Sequence, residues 1–115
     1  MPQVVPALFA KTPEASAAYG ALINFVGELG QFTLEEKKTS LHIVVGKGAF
    51  LGVHPRKNGL RLNIVLSRGL EGARIAKSER VSANRYHNEI DFSFGAPMDD
   101  QLMDWIREAR DRSMG

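Results

Sequence analysis

Leu60, Leu62, Ile64 and Leu66 alternate with Arg61, Asn63 and Val65, and no other run limits the fold as tightly. Strict period two over seven residues predicts a half-buried strand, since successive side chains of a strand point to opposite faces. Directly before it, Lys57-Asn58-Gly59 supplies a tight turn, because Asn and Gly tolerate the positive φ of a two-residue hairpin. Residues 49–53 are therefore its hairpin partner, and Pro55 falls at the strand end, where a missing N–H does least harm. Gly46-Lys47-Gly48 separates that run from residues 41–45. In this first strand Leu41, Ile43 and Val45 face one way, and His42 and Val44 the other. Phe50 and Leu51 are adjacent and both suit a core, so the register of the middle strand stays open. The stretch 40–66 thus reads as a three-strand antiparallel meander on which flanking helices settle.

Thr12-Pro13-Glu14 announces the first helix with a hydroxyl N-cap, proline at the first helical position and an acid in the first turn. Ala15, Ala18, Tyr19, Leu22, Phe25, Val26 and Leu29 follow at helical spacing, and Gly30 ends the helix in a left-handed position. Residues 1–11 are expected to form an extended arm, with Leu8 and Phe9 tacked onto the body. Residues 32–38 suit a short polar edge strand whose charges discourage edge-to-edge pairing. Residues 67–85 have two glycines and no sustained period, and read as a long basic connection with one helical turn around residues 73–78. Residues 86–94 resume alternation, with Ile90, Phe92 and Phe94 inward and His87, Glu89, Asp91 and Ser93 outward. After Gly95-Ala96-Pro97, Asp99 caps a closing helix whose buried stripe is Leu102, Trp105, Ile106 and Ala109. The expected fold is α+β, one domain over residues 1–115, with four to five antiparallel strands. Amino- and carboxy-terminal helices cover one face, and the other stays open.

The 115 residues suffice to bury a real core, and 43% hydrophobic with 24% charged residues is ordinary for a globular domain. No window approaches the ~18 apolar residues of a membrane helix, and the proline-containing start lacks the basic region of a secretory signal. The chain has no cysteine, which excludes disulfides, thiolate chemistry and cysteine-based zinc sites, and agrees with a cytoplasmic location.

Net charge is only +2, but it is unevenly spread. Arg56, Lys57, Arg61, Arg68, Arg74, Lys77, Arg80 and Arg85 face only Glu71 and Glu79 between residues 54 and 85. That segment carries +6 and leaves −4 for the rest. These eight cations are the candidate nucleic-acid or anion site. Tyr86 is the only aromatic close by, so no base-stacking platform is evident.

Other chemistry finds little support. His42 and His87 are expected to share the open face with Glu89 and Asp91, but nothing like HExxH or a paired-histidine spacing marks a metal site. Arg61, Glu89 and Asp91 read as cross-strand pairs rather than as a catalytic acid and its clamp. Ser40, Ser67, Ser82 and Ser93 lack a nucleophile elbow. Gly46-Lys47-Gly48 lacks phosphate-loop spacing and a following helix, so it reads as a hairpin turn. No cofactor motif is present, and no catalytic residue is assigned.

Laid out this way, the chain resembles a bacterial domain of unknown function, number 5655, the small domain at the end of some "predicted transport protein"-type proteins. The resemblance rests on Phe50, Val53, Pro55, Gly59, Leu60 and Leu62 in AFLGVHPRKNGLRL. Leu29-Gly30, Asp99-Asp100, Trp105, Ile106 and Ala109 support it. Where members carry a GHWG-like turn before the last strand, this chain reads Ser82-Ala83-Asn84-Arg85-Tyr86-His87. The helix–sheet–helix order also looks like frataxin and the YjbR-type proteins, for the latter of which DNA binding has been suggested. Frataxin's iron role needs an acidic first helix, and this one offers only Glu14 and Glu28. The resemblance implies the fold and no known activity.

The expected function is a non-enzymatic intracellular binding module whose partner is anionic, nucleic acid being the named candidate. Its contact surface would be the basic connection together with the open sheet face. The alternative is a protein-interaction or self-associating, homodimeric domain that buries Val44, Val65 and their neighbours. A small-molecule or metal site on the same face is the weaker third, and no membrane partner is expected.

Overall fold

The computed structural model describes residues 6–96 and 98–115. A short 3-10 turn over Ala7–Phe9 precedes helix α1 (Pro13–Leu29). Six strands follow: β1 (Thr33–Glu36), β2 (Leu41–Val45), β3 (Gly48–Arg56), β4 (Gly59–Leu66), β5 (Ile75–Ser82) and β6 (Arg85–Ser93). Helix α2 (Asp100–Met114) closes the chain. The strands form one antiparallel sheet in the order β1-β2-β3-β4-β6-β5. The fold is α+β, as the sequence implies, but with six strands rather than four or five.

Each helix begins as its sequence dictates. Thr12 Oγ1 accepts the Ala15 N–H at 3.0 Å, and Asp99 Oδ1 accepts the Leu102 N–H at 2.8 Å, so each cap satisfies a donor that the first turn leaves unpaired. Gly30 ends α1 at φ 142°, ψ −168°. This is an extended glycine conformation rather than the left-handed helical one expected, and the Arg110 guanidinium packs where a Cβ would stand.

The core lies between the helices and one face of the sheet. Leu41, Val53, Leu62 and Ile90 form one cross-strand row, and Ile43, Leu51 and Ile64 form the next. Leu22 and Val26 of α1 and Leu102, Ile106 and Ala109 of α2 pack on them. The open register of β3 resolves through a β-bulge. Ile43 pairs with Leu51 but Val44 pairs with Ala49, so Phe50 is the extra residue. A bulge turns two consecutive side chains towards one face, and Phe50 and Leu51 are both buried.

Three details differ from expectation. The stretch 7–9 is a 3-10 turn rather than part of an extended arm (residues 1–5 lie outside the described residues), and Phe9 is fully buried, stacked on Tyr19 at 4.9 Å between centroids. Trp105 is half-buried rather than core, with the Arg74 guanidinium 5.7 Å from its ring centroid. The supposed connection 67–85 contains β5, which shortens the true connection to residues 67–74. β5 is an edge strand beyond the reach of the helices and, apart from Ile75, it is exposed throughout. With no buried face it needs no apolar alternation, and its sequence shows none.

The short connection is held by Asn88, which points inward from β6 and is fully buried. Its Oδ1 accepts the Leu70 N–H at 2.9 Å and the Ser78 hydroxyl at 2.7 Å. Its Nδ2 donates to the carbonyls of Ile64 at 3.3 Å and Arg68 at 3.2 Å. One carboxamide thus satisfies buried backbone groups that the sheet leaves over.

Candidate anion-binding site

The eight cations singled out by charge do not gather into one patch. Arg61 lies on the open face of β4, where Nε meets Asp91 Oδ1 at 2.8 Å, Nη2 meets Asp91 Oδ2 at 3.0 Å, and Nη1 lies 3.7 Å from Glu89. Arg68 and Arg74 turn towards α2. Arg68 makes a two-bond pair with Glu108 at 3.0 and 2.9 Å, and Arg74 binds Asp99 at 2.8 Å and Gln101 at 3.1 Å. Lys77 sits 3.2 Å from Glu79 and faces Glu89 in the ladder. These four cations already hold carboxylates. Hydrogen bonds from Arg61, Arg74 and Arg68 hold the Asp91, Asp99 and Glu108 carboxyls, respectively, below the usual carboxylate range.

Arg56 and Lys57 stand apart at the β3–β4 turn, beside a cleft of about 280 Å³ that also takes in Asp91 and Ser93. Arg80 donates to the Ser82 carbonyl at 3.3 Å, and Arg85 donates to His87 Nε2 at 3.3 Å. Among the described residues these four cations make no ion pair.

The open face is a mixed surface that carries charges of both signs. One ladder row crosses it as Glu35, His42, Gly52, Asn63, Glu89 and Lys77. Another runs His54, Arg61, Asp91. Burial, and then the charges of Lys37 for His42 and of Arg85 for His87, hold both imidazoles below the ordinary histidine range. Val65 is buried, so the apolar anchor expected there for a partner chain is not exposed. Among the described residues no three His, Asp or Glu side chains converge on a common point.

The concentrated positive charge lies elsewhere, at the end of the sheet where the β2–β3 turn, the end of β4, the start of β6 and the last turn of α2 meet. Lys47, Gly48, Ser67, Arg85, Arg112 and Ser113 line a cleft of about 250 Å³ there. Three cations from three separate elements face it, and no carboxylate lines it. Its walls are fixed by their own hydrogen bonds. Arg112 Nε donates to Ser67 Oγ at 3.0 Å and Nη2 to the Asn84 carbonyl at 2.8 Å. The single hydroxyl hydrogen of Ser113 is shared between the carbonyls of Val45, 2.7 Å from Oγ, and Gly48, 2.9 Å from it. The Ser113 carbonyl accepts the Lys47 N–H at 2.9 Å.

Of the eight candidates only Arg85 lines this cleft. Lys47 belongs to the Gly46-Lys47-Gly48 stretch, which lacks phosphate-loop spacing and reads as a hairpin turn, and Arg112 is not among the candidates; each is separated along the chain from the basic segment. Their only local signals were a turn position and a place at a helix end, where cations are favoured anyway.

An open antiparallel sheet covered on one face by a first and a last helix defines the class of this protein. The model of the family described as Domain of unknown function (DUF5655) matches residues 5–112, and the chain belongs to that family. No curated protein and no solved structure matches it significantly. Among the described residues no helix is long and apolar enough to cross a membrane.

Proposed function

We propose that this protein is a non-enzymatic intracellular binding module for an anionic partner, with nucleic acid as the named candidate. One observation carries the reading: Lys47, Arg85 and Arg112 converge on a cleft that no carboxylate lines. Elsewhere Arg61, Arg68, Arg74 and Lys77 are neutralised within the fold. At this end the charge is left for something outside it. The contact surface therefore moves from the open face to the turn end of the sheet, with Arg80 of β5 as a further contributor.

The test is fluorescence anisotropy with labelled single- and double-stranded oligonucleotides across a salt series. Three or four neutralised phosphates give a log–log slope of roughly −2 to −3 on single strands, at about −0.7 per phosphate. Absence of binding at low salt would overturn the reading.

A self-associating alternative rests on the sheet edges, where Leu34 of β1 and Val81 of β5 are exposed. Edge strands carry unpaired backbone groups that can recruit a second chain. Sedimentation velocity showing only monomer at high protein concentration would remove this alternative.

A further inference from the structure

We propose that the cleft at the turn end of the sheet is a site for a single phosphate dianion, held by Lys47, Arg85 and Arg112 and presented by a terminal phosphate monoester, such as the phosphorylated end of a nucleic acid strand. The assignment rests on the anion-binding reading above and narrows it to one chemical group.

Charge comes first. A phosphate monoester carries about −1.5 to −2 at pH 7 because its second pKa is near 6, whereas an internal phosphodiester carries one charge. Three cations around one small cleft match the former better, since a dianion leaves the site near +1 and a monoanion leaves it near +2.

Donor geometry comes second. Arg112 spends Nε and Nη2 on Ser67 Oγ and the Asn84 carbonyl, which locks the guanidinium plane and leaves Nη1 without a partner among the described residues. Ser67 accepts the Arg112 bond through its oxygen, so its own hydroxyl hydrogen is free for an anion. Arg85 spends only Nε, on His87, and among the described residues its two terminal nitrogens make no hydrogen bond. The Lys47 backbone is pinned to α2 through the Ser113 carbonyl, which fixes the root of an exposed side chain that lines the cleft. The Arg112 guanidinium, already ordered by its own bonds, loses little freedom on binding.

The end of α2 would ordinarily oppose an anion, because its last carbonyls carry partial negative charge. Here the Ser113 carbonyl is occupied by the Lys47 N–H and the Asp111 carbonyl by the Gly115 N–H. The Val45 and Gly48 carbonyls nearby are both turned to Ser113 Oγ. These four acceptors are thus already engaged, whereas among the described residues Arg112 Nη1 and the two terminal nitrogens of Arg85 have no partner.

Size and lining come third. About 250 Å³ falls just below the roughly 300–1,000 Å³ of sites that enclose a whole small molecule. It has room for a phosphate and the atoms next to it. No aromatic side chain lines it, so no base is stacked there, and recognition falls to the phosphate alone.

The test compares one single-stranded oligonucleotide in three forms: 5′-phosphorylated, 3′-phosphorylated, and with hydroxyls at both ends. Inorganic phosphate serves as competitor, and the label sits on the same internal base in all three forms. Binding of a phosphorylated form tenfold or more tighter than the hydroxyl form is expected. That preference should fall to parity in Arg85→Gln and in Lys47→Gln, whose side chain is exposed and whose loss leaves the fold intact. Each charged contact removed should cost about tenfold.

Equal, salt-sensitive binding of all three oligonucleotides would overturn the phosphate-end assignment while sparing the anion-binding reading. No binding of any probe, inorganic phosphate included, would overturn both. Binding of inorganic phosphate alone, lost in Lys47→Gln, would support the dianion site and remove nucleic acid as the partner.

Discussion

Asn88 accepts the backbone N–H of Leu70 at 2.9 Å through its side-chain oxygen, eighteen positions away in sequence. The same carboxamide serves Ser78, Ile64 and Arg68, so it joins β4, β5, β6 and the connection between β4 and β5. Asn88→Leu would strand the Leu70 N–H and the Ile64 carbonyl in the interior. Its expected cost is about 2–4 kcal/mol, read as a lower urea midpoint at unchanged m-value. A cost below about 0.5 kcal/mol would mean that the apolar packing of Leu70 alone holds the connection.

Asn88 also marks the limit of what the sequence reveals. The meander was legible because Leu60, Leu62, Ile64 and Leu66 each meet the core, and burial on one face writes period two into the chain. β5 was hidden because it has no such face, and its Lys77, Ser78, Glu79 and Arg80 look like loop. Asn88, between outward His87 and Glu89, sits at an inward position in plain alternation. Nothing local says that a polar residue there is buried rather than tolerated. The cleft was illegible for a different reason: Lys47, Arg85 and Arg112 come together only when the turn, β6 and α2 are in place.

The Arg61–Asp91 pair has good two-bond geometry, yet the Asp91 side chain is 56% exposed. Exposed pairs contribute little, so Arg61→Ala is expected to cost less than about 1 kcal/mol. The same substitution should raise the Asp91 pKa towards the ordinary carboxylate range, because its largest stabilising contact is the Arg61 hydrogen bond. A carboxylate NMR titration measures this directly. An unmoved Asp91 would show that other cations set its charge.

His42 and His87 titrate below the ordinary histidine value in the folded protein. The unfolded chain, near 6.5, therefore binds protons first as pH falls. Their contribution to stability is full above about pH 6.5 and is lost as pH drops through the folded values. Unfolding free energy measured between pH 7.5 and 5 should decline, and the decline should shrink in His42→Gln and His87→Gln. A flat profile for the parent protein would refute the sign.

Gly46 sits at φ 54° with the Ser113 carbonyl packed where a Cβ would be. Gly46→Ala is expected to cost about 2–4 kcal/mol and to displace Lys47, weakening any anion bound nearby. Gly72→Ala is the control, since Gly72 also has positive φ (127°) but open space around it. For alanine φ 127° is the more strained position, whereas φ 54° lies in the small left-handed region open to it. A Gly46→Ala loss below about 1 kcal/mol, well short of the Gly72→Ala loss in thermal unfolding, would therefore mean that the α2 contact contributes nothing.

The strand order β1-β2-β3-β4-β6-β5 has a kinetic consequence. Every neighbouring pair except β4–β6 joins strands consecutive in sequence, so most of the sheet can assemble from short, quickly closed loops. The loop-closure entropy gathers at the single seam where the β5–β6 hairpin docks on β4. The rate of folding should therefore follow the strength of the Leu62–Ile90 and Ile64–Asn88 contacts far more than that of any turn in the meander.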